Sequence, residues 1–176
     1  MMIDHEVLIS EENLKKRVRE LGDQISKDYD GKEICMICVL KGGVIFMVDL
    51  AKYITVPMTM DFMAVSSYGN DFTSTGVVKI VKDLDESIEG KHVLIVEDII
   101  DSGRTLHYLM NLLKERKPSS IKICTLLDKP EQRLVDVSVE YVGFVIPDQF
   151  VLGYGLDYQQ KYRNLPYIGV VQPKEG

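Results

Sequence analysis

Val93-Leu94-Ile95-Val96-Glu97-Asp98-Ile99-Ile100-Asp101-Ser102-Gly103-Arg104-Thr105-Leu106 is the stretch whose reading decides the fold. Val93 to Val96 is continuously apolar rather than alternating, the pattern of a parallel strand covered on both faces by helices. Such strands deliver ligand-binding loops at their carboxyl ends. Glu97 and Asp98 follow at once, and paired acids at that edge can accept hydrogen bonds from vicinal sugar hydroxyls or hold Mg²⁺ through water. They are poor phosphate binders. A phosphate suits Asp101-Ser102-Gly103-Arg104-Thr105, where backbone N–H groups at a helix start, two hydroxyls and a guanidinium can surround a dianion. Gly103 lets the backbone come close. A strand, an acidic cap and a helix are the plain alternative, and Asp-Ser-Gly alone would favour it. The full order of parts is far more specific and points to a sugar-phosphate site.

Working outward, Ser10 can cap a helix with Glu11 and Glu12 in its first turn, and Leu14, Val18, Leu21 and Ile25 keep one apolar face. Tyr29-Asp30-Gly31 ends it. Ile34 to Leu40 is a second fully apolar strand, followed by Lys41-Gly42-Gly43 and a predicted helix from Val44 to Tyr53. Met58 to Val65 reads as strand, Ser66 to Thr75 as a long polar loop, and Val77 to Val81 as strand again. Leu106, Leu109, Met110 and Leu113 form the buried face of a helix closed by Lys117-Pro118, and Ile121 to Leu127 is another buried strand. This alternation predicts an α/β fold, a doubly wound, mainly parallel sheet flanked by helices. From Tyr141 the alternation breaks, although Tyr141 to Ile146 is strand-like. The aromatic, glycine-containing segment Pro147 to Leu165 is expected to form a small C-terminal hood over the active edge, within a single domain spanning 1–176. The core is expected at about 30–140 and the hood at about 141–171 plus the N-terminal segment.

At 176 residues the chain can bury a full core without disulfides or a structural metal. No run approaches the length of a membrane span, and the first residues lack the basic and apolar regions of a signal peptide, so the expected compartment is the cytoplasm. The net charge of −6 argues against a nucleic-acid-binding surface. It does not exclude an anionic small substrate, because local cations dominate within a site. Cys35, Cys38 and Cys124 all lie in apolar runs. Cys35 and Cys38 have CxxC spacing, but on a strand they point to opposite faces, so buried, inert thiols are expected. His5, His92 and His107 fall outside the predicted loops, and neither histidine catalysis nor a zinc site is expected.

With these motifs in place, the chain resembles the type I phosphoribosyltransferases. Their signature for 5-phosphoribosyl-1-diphosphate has the same order: apolar strand, Glu-Asp, two apolar residues, Asp, small residue, Gly, basic residue, Thr. The resemblance runs from about Ile9 to Val171 and is closest to the branch acting on hypoxanthine and guanine. Ser102 and Arg104 stand where other members carry Thr and Lys, keeping the hydroxyl and the positive charge.

The resemblance implies roles residue by residue. Asp101 would be the general base and acid. Glu97, Asp98, Asp101, Ser102, Gly103, Arg104 and Thr105 would bind the phosphoribosyl group. Lys41, Gly42 and Arg163 would bind pyrophosphate, the Leu40–Lys41 peptide being cis in the family. Lys129, Phe150, Val151 and Asp157 would bind the purine. A –NH₃⁺ at Lys129 only donates, which suits the 6-carbonyl of hypoxanthine or guanine and rejects the amino group of adenine. Ser66, Ser67, Tyr68 and Gly69 would belong to a mobile lid that excludes water during reaction. Mg²⁺ is the implied cofactor, with Glu97, Asp98 and Asp157 as its acidic neighbours. Tyr154, Tyr158 and Tyr162 are expected to pack.

The implied partners are the donor 5-phosphoribosyl-1-diphosphate, hypoxanthine, guanine, the products IMP and GMP, and pyrophosphate. No nucleic acid and no membrane are expected, and the family implies a homodimer or homotetramer. Other readings remain open at this stage: transfer to xanthine, adenine or orotate, a donor-sensing regulator that binds RNA, and an acidic-pocket signalling receiver. The last explains neither Asp101–Thr105 nor the hood.

Overall fold

The computed structural model describes residues 3–67 and 78–172. In chain order its elements are β1 (His5–Ile9), α1 (Glu11–Asp28), β2 (Ile34–Leu40), α2 (Val44–Ala51), β3 (Met58–Ser67), β4 (Val78–Lys82), β5 (His92–Ile100), α3 (Arg104–Lys114), β6 (Ser120–Asp128), β7 (Tyr141–Val145), β8 (Val151–Leu152) and β9 (Ile168–Val171). A six-stranded sheet has the order β4-β3-β2-β5-β6-β7, and a separate three-stranded sheet the order β1-β9-β8. In the larger sheet only the β3–β4 pair is antiparallel.

The apolar strands explain why both faces are covered. Met36, Cys38, Leu94 and Val96 join one core with Leu14, Val18, Leu21 and Ile25 of α1 and Phe46, Met47 and Leu50 of α2. Their alternates Cys35, Ile37, Val93 and Ile95 join the other core, with Leu106, Leu109 and Leu113 of α3. Period-two alternation thus sends successive residues of one apolar run into different cores. Cys35 and Cys38 part in this way, as their spacing predicts. All three cysteines are free and buried, and burial pushes the Cys38 thiol up to about 12, which keeps it protonated and inert.

β2 leads through α2 to β3 on one side, while β5 leads through α3 to β6 on the other. The connections diverge between β2 and β5, and ligands bind such sheets in the crevice beyond the strands' carboxyl ends at that point. Ser10 caps α1, its side chain accepting from the Asn13 N–H at 3.1 Å, as the sequence predicts.

Four boundaries differ from expectation. Tyr141–Val145, read as strand-like and placed at the start of the hood, is indeed a strand but forms the edge of the large sheet, because its residues pair with Cys124 to Asp128 of β6. β5 continues four residues past Val96, since Glu97, Ile99 and Ile100 still pair with β6. β3 continues through Ser66 and Ser67, which pair with Lys79 and Val78 of β4. α2 stops at Ala51, short of Tyr53. For the three strands a cross-strand partner, invisible to local pattern, sets the end, while past Ala51 the chain continues in backbone turns from Tyr53 to Leu50 and Ile54 to Ala51. The remainder of the expected lid, including Tyr68 and Gly69, lies outside the described residues. Among the described residues no helix is long and apolar enough to cross a membrane.

Candidate active site

The crevice between β2 and β5 opens into a cleft of about 350 Å³ lined by Leu40, Gly42, Glu97, Asp98 and the Asp101–Gly103 loop together with Thr105. The Leu40–Lys41 peptide is cis. Gly42 lies directly on the acid pair: a Cβ added there would sit 1.7 Å from Oδ2 of Asp98. A Cβ on Gly155 would in turn sit 2.1 Å from the Gly42 carbonyl oxygen. Three chain segments distant in sequence therefore touch across glycines, where any side chain would hold them apart.

Glu97 and Asp98 are half-buried near the carboxyl end of β5. Burial first, then the charge of Asp98, pushes the Glu97 carboxyl well above the usual carboxylate range. Burial also raises Asp98, opposed by backbone N–H groups of Ile99 and Asp98 itself and by the charge of Arg163. Neighbouring acids raised in this way are stabilised by whatever donates hydrogen bonds or positive charge, and ribose hydroxyls or a hydrated divalent cation both do so. Among the described residues, however, no three His, Cys, Asp or Glu side chains are placed to cage a metal ion. Glu97, Asp98 and Asp157 are not a preformed cage, and Asp157 is paired with Arg163 at 3.2 Å. The chemistry of the acid pair fits a magnesium ion that arrives hydrated and already chelated.

The phosphate loop enters α3 through Gly103, whose φ of +79° puts it in the left-handed region. Gly103, the residue that opens α3, has no side chain to cap it. The Ser102 hydroxyl accepts from the Arg104 N–H at 3.3 Å. The close approach at Gly103 is to the rear of the loop, since an added Cβ would lie 2.9 Å from Cδ of Arg133 and 3.3 Å from the Val135 carbonyl oxygen.

That rear wall contains a residue the sequence did not single out. Arg133 donates through Nε to the Asp101 carbonyl oxygen at 3.3 Å and forms an ion pair with Asp128 at the end of β6. The N–H groups of Leu134 and Val135 donate to the Ser102 carbonyl oxygen at 2.9 and 3.3 Å. Arg133 lies in an irregular stretch with no periodicity or spacing to mark it.

Lys129 is 8% exposed, and its Nζ lies 3.4 Å from Oδ1 of Asp101 and 3.6 Å from Oδ1 of Asp148. A nearly buried ammonium between two carboxylates is the arrangement in which burial of a lysine is tolerated. Asp148, also unmarked in the sequence, accepts from Nε2 of Gln132 at 2.8 Å. Phe150 is 54% exposed and stands edge-on to Tyr158, with 5.7 Å between ring centroids and an interplanar angle of 89°. Val151 is buried at the start of β8. An exposed ring has a free face for a planar ligand.

The hood carries the remaining expected residues. Arg163 donates to the Gly155 carbonyl oxygen at 2.7 Å and to Oε1 of Gln160 at 3.2 Å, and Lys41 donates to the same Gln160 oxygen at 3.2 Å. Of the tyrosines, Tyr154 donates to Asp49 of α2 at 2.6 Å, and Tyr162 accepts from the Ile3 N–H at 2.8 Å. Both fasten the hood to elements remote in sequence.

Residues 8–159 match the family model described as the phosphoribosyl transferase domain. The chain is 58% identical to the hypoxanthine-guanine phosphoribosyltransferase of Bacillus subtilis, over 95% of this chain and 93% of that protein. It is 55% identical to the bifunctional protein TilS/HprT of Listeria monocytogenes, over 96% of this chain, but spans only 26% of that longer protein. Its fold superposes on a crystal structure of a hypoxanthine-guanine phosphoribosyltransferase from Bacillus anthracis, with a HEPES molecule in the active site, at a TM-score of 0.93 and 53% identity, covering 97% of this chain and 100% of that one. With the acid pair, the Asp101–Thr105 loop and the hood residues gathered on one edge, these similarities show that the chain belongs to the phosphoribosyl transferase family, in its hypoxanthine-guanine branch.

Proposed function

We propose that this chain transfers the 5-phosphoribosyl group from 5-phosphoribosyl-1-diphosphate to N9 of hypoxanthine or guanine, forming IMP or GMP and releasing pyrophosphate. The carrying observation is that Lys129 pairs with Asp101, which lines the same cleft as the Gly42–Asp98 contact. A base reader, a proton carrier and a diphosphate loop then surround one reacting carbon.

In this reading Ser102, Gly103, Arg104 and Thr105 hold the 5′-phosphate and Glu97 with Asp98 the ribose hydroxyls, so binding far from the reacting carbon fixes its geometry. Asp101 exchanges a proton with N7 of the purine, and its charge favours an oxocarbenium-like transition state. Lys129 donates to the 6-carbonyl, Phe150 stacks on the base, and Val151 and Asp157 meet its other edge. Lys41, Gly42 and Arg163 receive the diphosphate, for which a guanidinium fork is well matched. Glu97, Asp98 and Asp157 would hold a Mg²⁺ that enters with the diphosphate, and the ion would supply positive charge to the leaving group. Ser66 and Ser67, at the end of β3, lead into the segment assigned to the lid.

The free, buried thiols fit a reducing compartment, which supports the cytoplasm. Ile45 and Val48, 37% and 44% exposed on α2, support association into a homodimer or homotetramer. The chain is read as one domain.

The test is product formation with Mg²⁺ and the donor against hypoxanthine, guanine, xanthine, adenine and orotate in parallel. Turnover of hypoxanthine and guanine is expected. Turnover of adenine or orotate instead would overturn the role of Lys129, and donor binding without turnover of any base would overturn the enzyme reading.

A further inference from the structure

At the place assigned to the diphosphate, a single neutral oxygen already holds two cations. Oε1 of Gln160 accepts from Nζ of Lys41 and from the Arg163 guanidinium, each at 3.2 Å. Gln160 is itself held firmly. Its N–H donates to Oδ2 of Asp157 at 2.8 Å, and it forms with Gln159 a two-residue turn closed by mutual Tyr158–Lys161 backbone bonds of 3.0 Å. Both turn residues have positive φ, 52° and 63°, as a type I′ turn requires. That turn aims the Gln160 side chain back at Arg163 and across to Lys41, 119 positions away in sequence.

We propose that Gln160 determines diphosphate affinity: its amide oxygen holds Lys41 and Arg163 converged on one point and is exchanged for a phosphoryl oxygen when diphosphate binds. This rests on the phosphoribosyl-transfer reading and deepens it. The physical basis is the charge of the acceptor. Arg163 is already paired with Asp157 at 3.2 Å, and the amide oxygen of Gln160 brings Lys41 to the same guanidinium before the ligand arrives. An ionised phosphoryl oxygen forms charge-assisted bonds roughly twice as strong as those to a neutral acceptor, so it displaces the amide. A carboxylate at the same place would make ion pairs of its own and resist displacement. Neutrality at residue 160 therefore keeps the site both assembled and open.

The experiment measures the affinity of the full chain for magnesium pyrophosphate and, separately, for IMP by calorimetry, in the unsubstituted protein, Gln160→Glu and Gln160→Asn. Asparagine tolerates positive φ, is neutral, and is one methylene shorter. Gln160→Glu is expected to weaken pyrophosphate by about tenfold or more while leaving IMP unchanged, and Gln160→Asn to stay within about threefold. Unchanged pyrophosphate affinity in Gln160→Glu would overturn the proposal. Equal losses in both variants would also overturn it, by making Gln160 a turn-forming residue only. If the unsubstituted protein binds IMP but not pyrophosphate, the assignment of the Lys41–Arg163 subsite fails, and the inference fails with it.

Discussion

The Asp101–Thr105 loop and the 153–162 segment of the hood both bend sharply at the mouth of the cleft, yet they are built in opposite ways. The loop hangs from β5, a central strand with Val93 to Val96 fully buried, and its one left-handed residue is Gly103. The hood segment has positive φ at Tyr154, Gln159, Gln160 and Tyr162 as well as at Gly153 and Gly155. Left-handed backbone costs a non-glycine residue roughly 1–2 kcal/mol, so those four positions need enforcement from outside. It comes from Asp49 on Tyr154, the Ile3 N–H on Tyr162, and the paired backbone of Tyr158 and Lys161. One region carries its conformation in its own residues. The other takes it from α2, from the segment preceding β1 and from the backbone pairing that closes its own turn. Local strain should therefore be repaired by glycine in the hood and created by alanine in the loop, while chemistry should fail first in the loop.

The largest effect is expected at Asp101. Asp101→Asn keeps the shape and the backbone contact to Arg133 but removes the proton acceptor and the charge. A fall in kcat of about 10²–10⁴ is expected, with donor affinity changed far less. Single-turnover kinetics with hypoxanthine would measure it, and near-normal kcat would remove Asp101 from catalysis.

Next is Gly103→Ala. Its φ of +79° penalises any side chain, and the new Cβ would crowd Cδ of Arg133 at 2.9 Å and the Val135 carbonyl oxygen at 3.3 Å. A loss of about 1–3 kcal/mol in denaturant unfolding is expected, with weaker donor binding because the loop and its rear wall must part. A loss below about 0.5 kcal/mol would show that the loop, too, takes its shape from elsewhere.

The same division explains what could be read from the chain. Val93 to Val96 announced a doubly covered strand, and Glu97 to Thr105 announced its site, because each part sits within a few residues of the next and uses the residue type its geometry requires. Gly103 was legible for that reason. Arg133 and Asp148 were not, since their partners Asp101, Asp128 and Lys129 are reached only after β6 and the following turn bring them back to β5. Tyr141–Val145 reads as strand, but five residues cannot announce which sheet they will join; pairing with β6, not the hood, decides it. Gln160 was hidden by a turn sequence, Gln159-Gln160, that no turn preference favours.

Gln159→Gly is the smallest effect and the sharpest test of the borrowed conformation. Gln159 is exposed and has a φ of 52°, while the contacts from Lys41 and Arg163 converge on the side chain of Gln160. Glycine would remove a left-handed penalty of about 1 kcal/mol but add about 0.5–1 kcal/mol of unfolded-state entropy, leaving a few tenths of a kcal/mol in favour of the folded state. Thermal unfolding should therefore be unchanged or slightly higher. Pyrophosphate affinity should stay near that of the unsubstituted protein, because the Tyr158–Lys161 bonds still close the turn. A loss of more than about 1 kcal/mol would mean that Gln159 stabilises the turn through its side chain, and the contrast between a self-determined loop and a borrowed hood would no longer hold.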